Sequence, residues 1–483
     1  MHVLSPQAAI AKVTSMEPSE EEKALHTLES VCFVHAKTSQ VCVLVDNHRE
    51  ELQKIQYHIH HEDDIEICSS FLNATCLQGS LCSRHHTVLP YAWQLREKTT
   101  HIWQSVGGCG QEMLERLYSN PKIVHVKGMV NSSKQDKMLI NFATMEVALS
   151  PIFDRIRRLS TSTCPSLPFC THLKYYYEEG DNSWKEFSPD VTKCIEENAR
   201  DGFLIICIKT RRFNYLVDLR HLTQENLQTG TRRRIRARPL FQSPTLMLSK
   251  LWTIQNFQSP TFCTNSHPAA GGLYPATWHI TSTTLIHERV LLDCEEREFQ
   301  EVYSYFHKTV PEAEFLILGI YRLQNYFQWQ KYDSKRMYMT QRLAKTEVDH
   351  VERHLFHGTE HALVEAICRQ NFDTRVSTRN GRSFGHGCYF ATEASYSLFY
   401  STADARGHRF MFLAKVLVGR STLGRAELRR PPSINPNDPE SPLYDSCVNQ
   451  INNPSIFVLF DNDQFYPYFL IRYQKLRNIV ALD

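Results

Sequence analysis

Apolar positions along the second half of the chain fall into two patterns, a helical spacing and short continuous runs, and their succession sets the expected architecture. In HALVEAICRQNF apolar residues return at Leu363, Ala366 and Ile367, the three-to-four spacing of one helix face. QEVYSYFHKTV reads as another helix, and ILGIYRLQNYFQWQKYDSKRMYMTQRLA as a strand running into a longer helix. GCYFAT, FMFLAKVLVG, SIFVLF and YFLIRYQ are short runs of β-branched and aromatic residues, which suit the pleated surface of a sheet. Helices interrupting such strands predict an α+β class.

Upstream, the stretch 241–275 is rich in Ser, Thr, Pro and Asn and loses any period, so it reads as a linker into a domain at 276–483. Before it, INFATMEVALSPIFDRIRRLS (140–160) and VDLRHLTQENLQTGTRRRIRARP (217–239) align with one gap. Each has an apolar-Asx-apolar strand end, a stretch that reads as a short polar helix, and then Ile-Arg. This internal repeat of about eighty residues predicts two modules, 91–160 and 161–240. Residues 1–60 open polar and then carry mixed pieces such as VCVLVDNHREELQKI that define no element.

Length makes the chain modular, since 483 residues exceed the ~250 at which single cores stop growing. With 42% hydrophobic and 22% charged residues, and no apolar run near the ~20 residues that span a bilayer, it is expected to be a soluble multidomain protein without a membrane partner. MHVLSPQAAIAKVTSMEPSEEEK has no long apolar stretch, so secretion is not expected. Fifteen dispersed cysteines fit reduced thiols and a metal site. The overall charge of +2 implies no polyanion partner, but between Lys209 and Arg238 nine Lys or Arg face only Asp218 and Glu225. That segment is the candidate surface for phosphates.

Within 61–90, Cys68, Cys76, Cys82 and His86 have the spacing C-x7-C-x5-C-x3-H, which lets four ligands converge on one tetrahedral Zn2+ with almost no secondary structure. His85 is an alternative fourth ligand. Four protein ligands leave no open position, so the site would be structural. The spacing resembles CCCH zinc fingers that bind single-stranded RNA, where aromatic rings between the ligands stack on bases; here that ring is Phe71.

Four separated motifs carry a second resemblance. HLFHGTEHALVEAICRQNFDTR, GHGCYFATEASYSLFYS, RRPPSINPNDPESPLYDSCV and PSIFVLFDNDQFYPYFLIRY follow one another in an order that resembles the catalytic domain of diphtheria-toxin-like ADP-ribosyltransferases. The resemblance covers 276–483 and implies a split, mixed β-sheet with helices. It also implies that NAD is the substrate. Gly358 would offer its backbone to the nicotinamide carboxamide, and Ser397 would add a hydroxyl. Tyr389 and Tyr400 would sandwich the ring, with Tyr396 competing for that place, and His357 would hold the ribose. In polymer-forming relatives a glutamate stands where SIFVLFD places Ile456, so the resemblance implies transfer of single units. Asp461 and Asp463 read as turn residues.

The 161–240 module is similar to the WWE domain through Trp184, Glu186 and the cluster Tyr175 to Tyr177, with Tyr in place of the first Trp. The 91–160 module looks like a degenerate copy, with Trp93 and Trp103 but Gln104 and Ser105 where the Glu is expected. The resemblance implies binding of ADP-ribose or poly(ADP-ribose). Trp184, Tyr215, Gln224 and Arg234, within the run Arg232 to Arg236, are the candidate contacts. Taken whole, the chain resembles mono-ADP-ribosyltransferases of the poly(ADP-ribose) polymerase family that join a CCCH finger, a WWE region and a catalytic domain. The implied acceptors are protein side chains, including its own, and the implied residence is nuclear with a cytoplasmic share. The competing reading is an RNA- or ADP-ribose-binding scaffold that transfers nothing.

Overall fold

The computed structural model describes residues 62, 65–129, 137–180, 183–247, 274–278, 287–294, 296–342, 351–376 and 383–482. The predicted N-terminal region 1–60 and positions 248–273 of the predicted linker lie outside them. The architecture is multidomain α+β, with three sheets. Among the described residues no helix is long and apolar enough to cross a membrane.

The first sheet is built from β1 (Tyr91–Glu97), β2 (Trp103–Ser105), helix α1 (Gly108–Ser119), β3 (His125–Met129), β4 (Lys137–Asn141), β5 (Glu146–Ala148) and β6 (Phe153–Ser160). The second uses β7 (Leu173–Gly180), β8 (Ser183–Glu186), helix α2 (Pro189–Arg200), β9 (Ile205–Lys209), β10 (Asn214–Asp218), β11 (Thr223–Asn226) and β12 (Arg232–Pro239). Their strand orders, β2-β1-β6-β5-β4-β3 and β8-β7-β12-β11-β10-β9, are the same order shifted by six, with the helix inserted at the same point.

The stretch that reads as a short polar helix in each repeat is instead a turn leading into a strand. Asn141 Oδ1 accepts from the amides of Ala143 and Thr144 at 2.9 and 3.4 Å, and Asp218 Oδ1 from those of Arg220 and His221 at 2.9 and 3.2 Å. Met145 and Leu222 follow at φ 55° and 50°. A left-handed residue ends any helix, and the Asx side chain supplies the turn that the backbone then takes.

The third sheet has nine strands in the order β13-β14-β21-β17-β15-β16-β20-β19-β18. Its elements are β13 (His287–Leu291), α3 (Arg297–His307), β14 (Phe315–Asn325), α4 (Tyr326–Arg342), β15 (Glu352–Thr359), α5 (His361–Gln370), β16 (Cys388–Ala391), α6 (Ala394–Ser397), β17 (His408–Leu417), β18 (Ser421–Leu423), β19 (Ser446–Val448), β20 (Ile456–Leu459) and β21 (Phe465–Lys475). All neighbours are antiparallel except β18 and β19, which makes the sheet mixed. Every strand and helix expected from the periodicity of this region is present. On α5 the buried face is Val364, Ile367 and Cys368, while Leu363 is 37% exposed, so the stripe sits one residue beyond the expected one. Those three positions keep the i, i+3, i+4 spacing of a single face.

The last strand, β22 (Ile479–Ala481), leaves the third sheet and joins the first, pairing parallel to β3. Gly110 on α1 gives it room: a Cβ there would lie 2.8 Å from the Ala481 carbonyl oxygen, a backbone atom. One apolar core accordingly runs from Ile67 and Leu72 through Trp93, Leu114 and Val126 to Phe306, Tyr473 and Leu482. The second sheet keeps a core of its own around Tyr175, Ile195, Val217 and Ile235. The start of the predicted linker is packed: Phe241, Ser243 and Met247 are buried, so the linker does not begin at 241.

Burial, followed by the charge of Arg116, pushes the His307 imidazole down to about 3, although its Nδ1 lies 2.9 Å from the Val310 carbonyl. The unfolded chain takes up a proton near pH 6.5 that the native state refuses, so stability falls as pH drops from about 6.5 towards 3. Melting curves between pH 7.5 and 5 should show a drop that His307→Gln reduces by about 1–2 kcal/mol. An identical slope in the variant would remove His307 as the cause.

Candidate active site

β15 pairs with β17 along its whole length, from Glu352–Leu417 to Thr359–Phe410, and β16 pairs with β20 from Cys388–Leu459 to Ala391–Ile456. β15 and β16 themselves share one pair, Phe356 with Ala391. The sheet therefore opens just beyond Phe356, and His357 and Gly358 on β15 face Tyr389 on β16 across the opening. His357 Nδ1 bridges it, 2.8 Å from the Tyr389 carbonyl. Because a carbonyl only accepts, Nδ1 carries the proton and Nε2 is left as an acceptor. Desolvation holds the imidazole below its ordinary pKa against the opposing pull of that carbonyl. His357 is thus neutral at pH 7, and its ring is wedged against Phe372 at 4.8 Å and Phe390 at 5.5 Å.

Tyr389 is fixed at its far end, where its hydroxyl donates to the Gly385 carbonyl at 2.8 Å and accepts from the Phe384 amide at 3.0 Å. Burial raises its pKa, so the phenol stays protonated. Gly358 meets the short helix α6 end on. A Cβ on it would lie 2.0 Å from the Ser397 carbonyl oxygen, a backbone atom that cannot swing aside, so only glycine lets β15 and α6 touch here. Ser397 is buried at that contact. Beyond it a 3-10 turn, Leu398–Tyr400, continues the helix and carries Tyr400. Tyr396 and Tyr400 are more than a third exposed, with hydroxyls 3.3 Å and rings 5.7 Å apart. Their hydrogen bond, then burial, pushes the Tyr396 phenol up to about 12. His357, Gly358, Tyr389, Ser397, Tyr396 and Tyr400 are thereby gathered around one opening.

Ile456 starts β20 opposite Ala391, two positions along β16 from Tyr389. It is buried, and its amide donates to Asn449 Oδ1 at 3.1 Å. Asp461 caps the following turn, accepting from the Asp463 amide at 3.0 Å, and pairs with Lys335 at 2.7 Å. Both aspartates are turn residues, as expected. The periodicity gave no hint of Phe372 against His357, because it follows a left-handed Asn371 after the helix rather than sitting on a face.

Cys68, Cys76, Cys82 and His86 bring their ligand atoms within 4.8 Å of one another. The Cys68–Cys82 sulfur separation is 3.9 Å and the Cys76 Sγ–His86 Nε2 separation 3.5 Å. A tetrahedral zinc with Zn–S of ~2.3 Å would set sulfurs about 3.8 Å apart, so the cluster fits such an ion. Phe71 is buried and stacked on His86 at 4.2 Å. It closes the knot instead of facing outward.

The four ADP-ribose candidates fall on two faces of the second sheet. Trp184 and Arg234 are on the open face, where Arg234 pairs with Glu178 and Arg236 stacks on Trp184 at 3.9 Å. The first sheet repeats this stack with Arg157 over Trp103 at 4.3 Å. Gln224 and Tyr215 lie towards α2, in register with Arg233 and Ile208. Gln224 is 7% exposed, and its Oε1 has no partner among the described residues. Arg233 and not Arg234 shares this face, with its guanidinium 5.5 Å from the Tyr177 ring. Alternation counted from the apolar Ile235 would have found it.

Comparison with known proteins places two kinds of domain in the chain. Residues 296–475 match the poly(ADP-ribose) polymerase catalytic domain and residues 173–237 the WWE domain. Human protein mono-ADP-ribosyltransferase PARP12 is 31% identical over 436 residues, covering 85% of this chain and 58% of the relative. Human protein mono-ADP-ribosyltransferase PARP11 is 30% identical over 328 residues, covering 62% of this chain and 90% of the relative. The human PARP14 enzyme of the same description is 37% identical over 180 residues, which is 37% of this chain and 10% of the relative. The chain thus spans 58% of the length of human PARP12.

Proposed function

The chain belongs to the poly(ADP-ribose) polymerase family, and from that premise we propose that it is a protein mono-ADP-ribosyltransferase that consumes NAD. The observation that carries this reading is the opening between β15 and β16, spanned by His357 and Tyr389 and floored by Gly358. The nicotinamide ring stacks between Tyr389 and Tyr400, in the manner of offset aromatic pairs worth ~0.5–1.5 kcal/mol each. Its carboxamide takes the Gly358 backbone and the Ser397 hydroxyl. His357 Nε2 accepts from a ribose hydroxyl and so holds the sugar in place. The bond from ribose C1′ to the nicotinamide nitrogen breaks with its electron pair leaving on nicotinamide. A nucleophilic side chain of the acceptor protein, or of this chain itself, then bonds to C1′ and gives up its proton. Neutral His357 has no charge to oppose the cationic ribose that develops.

Growth of a polymer needs a base to activate the hydroxyl of the last unit. Ile456 is apolar and buried at the place where polymer-forming relatives carry glutamate, so transfer stops after one unit. Purified chain incubated with labelled NAD should give a discrete band on a gel, and His357→Ala should abolish it. A high-mass smear would mean polymer. Absence of label on protein and RNA acceptors alike would leave the scaffold reading.

The second sheet, as the WWE domain, is the proposed reader of ADP-ribose, through the unpartnered Gln224 carbonyl with Arg233, Tyr177 and Tyr215 around it. The first sheet is proposed to be a second WWE module by its identical order, but one without ligand. Counting along the matched strands puts Met138, Val147 and Asp154 in place of Tyr215, Gln224 and Arg233. Calorimetry with ADP-ribose should give one site per chain, lost in Arg233→Ala and kept in Arg234→Ala. The opposite pattern would move the site to the open face.

We propose that the three thiols and the imidazole of the finger hold a structural zinc, the ion that such a donor set suits. Elemental analysis should return one zinc per chain, and a metal-free folded chain would remove it. With Phe71 inside the knot, single-stranded RNA is not part of the proposal. Nuclear residence with a cytoplasmic share rests on the resemblance alone, because RRRIRAR is strand β12 and not an exposed linear signal.

A further inference from the structure

Helix α3 stands between the first module and the candidate NAD site and touches both. On one side is Arg116 of α1, 2% exposed. Its guanidinium donates to Glu112 at 2.9 and 3.0 Å, to the Glu312 carbonyl at 2.8 Å and to the Tyr303 hydroxyl at 3.1 Å, and it lies 4.3 Å from the Phe241 ring. The Tyr303 hydroxyl is also 2.9 Å from Glu312 Oε2 and 3.1 Å from Ser243 Oγ. One cation of the first module thus fastens the body of α3, the turn after it and the segment at 241–243.

On its other side α3 reaches the site. Tyr305 stacks on Phe356 at 5.1 Å, its hydroxyl donating to the His354 carbonyl at 3.2 Å. Phe356 is the residue before His357 and makes the one pair that joins β15 to β16. Two residues past α3, Thr309 Oγ1 accepts from the Ser395 amide at 3.2 Å. Ser395 lies in α6, whose next residues are Tyr396 and Ser397. Packing alone does not require this arrangement, since apolar residues would fill the same space without desolvating a charge. A fully bonded guanidinium fixes direction as well as distance.

We propose that Arg116 is a positioning residue for the NAD site: through Tyr303, Glu312 and Thr309 it sets where α6 and the β15–β16 opening stand. The first module then serves the catalytic domain as a fixed backing. This rests on the proposed transferase reading, but the coupling itself can be read without turnover.

The test uses the full chain with three changes: Tyr303→Phe, Thr309→Val, and the charge-balanced pair Arg116→Met with Glu112→Leu. The pair avoids leaving the buried Glu112 without its guanidinium, and the two single changes remove one hydroxyl each with little loss of packing. Steady-state NAD consumption and melting temperature are measured together. KM for NAD should rise by roughly fivefold or more while kcat changes less, and Thr309→Val should do so with its melting temperature held. Hydrogen exchange at residues 394–400 should speed up in all three. Folded variants with KM within about twofold of the original, and exchange at 394–400 unaltered, would reduce Arg116 to a structural role and overturn the proposal. If the unaltered chain consumes no NAD, the transferase reading fails by itself, and the exchange data alone decide whether Arg116 reaches α6.

Discussion

β15 and β16 run side by side yet share a single residue pair, and a side-chain hydrogen bond from His357 to the Tyr389 carbonyl crosses the space where the ladder would have continued. A sheet that loses its ladder leaves backbone donors and acceptors unsatisfied, and something must occupy them. Here the opening is propped by rigid parts. Its floor is Gly358 against the Ser397 carbonyl, and its walls are Tyr389, pinned at its hydroxyl, and Tyr396 in α6 with Tyr400 just after it. The flanking ladders, β15 with β17 and β16 with β20, are continuous, so the gap is confined to the candidate site.

That confinement ties distant parts of the chain to the site. The interior strand β21 of the third sheet leads directly into β22, which completes the first sheet beside β3. The CCCH cluster is joined to the same body: Ile67 donates its amide to the Ser160 carbonyl of β6 at 2.9 Å. The second module, by contrast, has its own core and reaches the first through Arg238 over the Tyr118 ring at 4.4 Å and Arg236 on the Pro121 carbonyl. The finger, first module and catalytic sheet share one interior, with the proposed reader attached at its side.

Much of this was legible in the residues. Three-to-four spacing and short apolar runs located α3, β14, α4, α5, β16, β17, β20 and β21, because burial is what such patterns record, while β15, β18 and β19 went unread. The repeat was legible through Asx, Ile and Arg at matched places, since the same turn demands the same short polar side chain. What the residues hid is of two kinds. The turn after Asn141 and Asp218 passed for a helix, because its polar residues suit both until a left-handed backbone is seen. Long-range contacts left no local signal: nothing in KLRNIVAL announces a strand for another sheet, and nothing around Arg116 announces Tyr303. The split of the ADP-ribose candidates between faces was accessible by alternation, but only once β12 was known to be a strand.

The central claim is that the β15–β16 opening receives nicotinamide. The most direct measurement is a crystal structure of the full chain with a non-reactive NAD analogue at saturating concentration. The account predicts the ring between Tyr389 and Tyr400, the carboxamide on the Gly358 backbone and a ribose hydroxyl at His357 Nε2. An analogue bound elsewhere, or an opening that stays closed to it at saturation, would contradict the account.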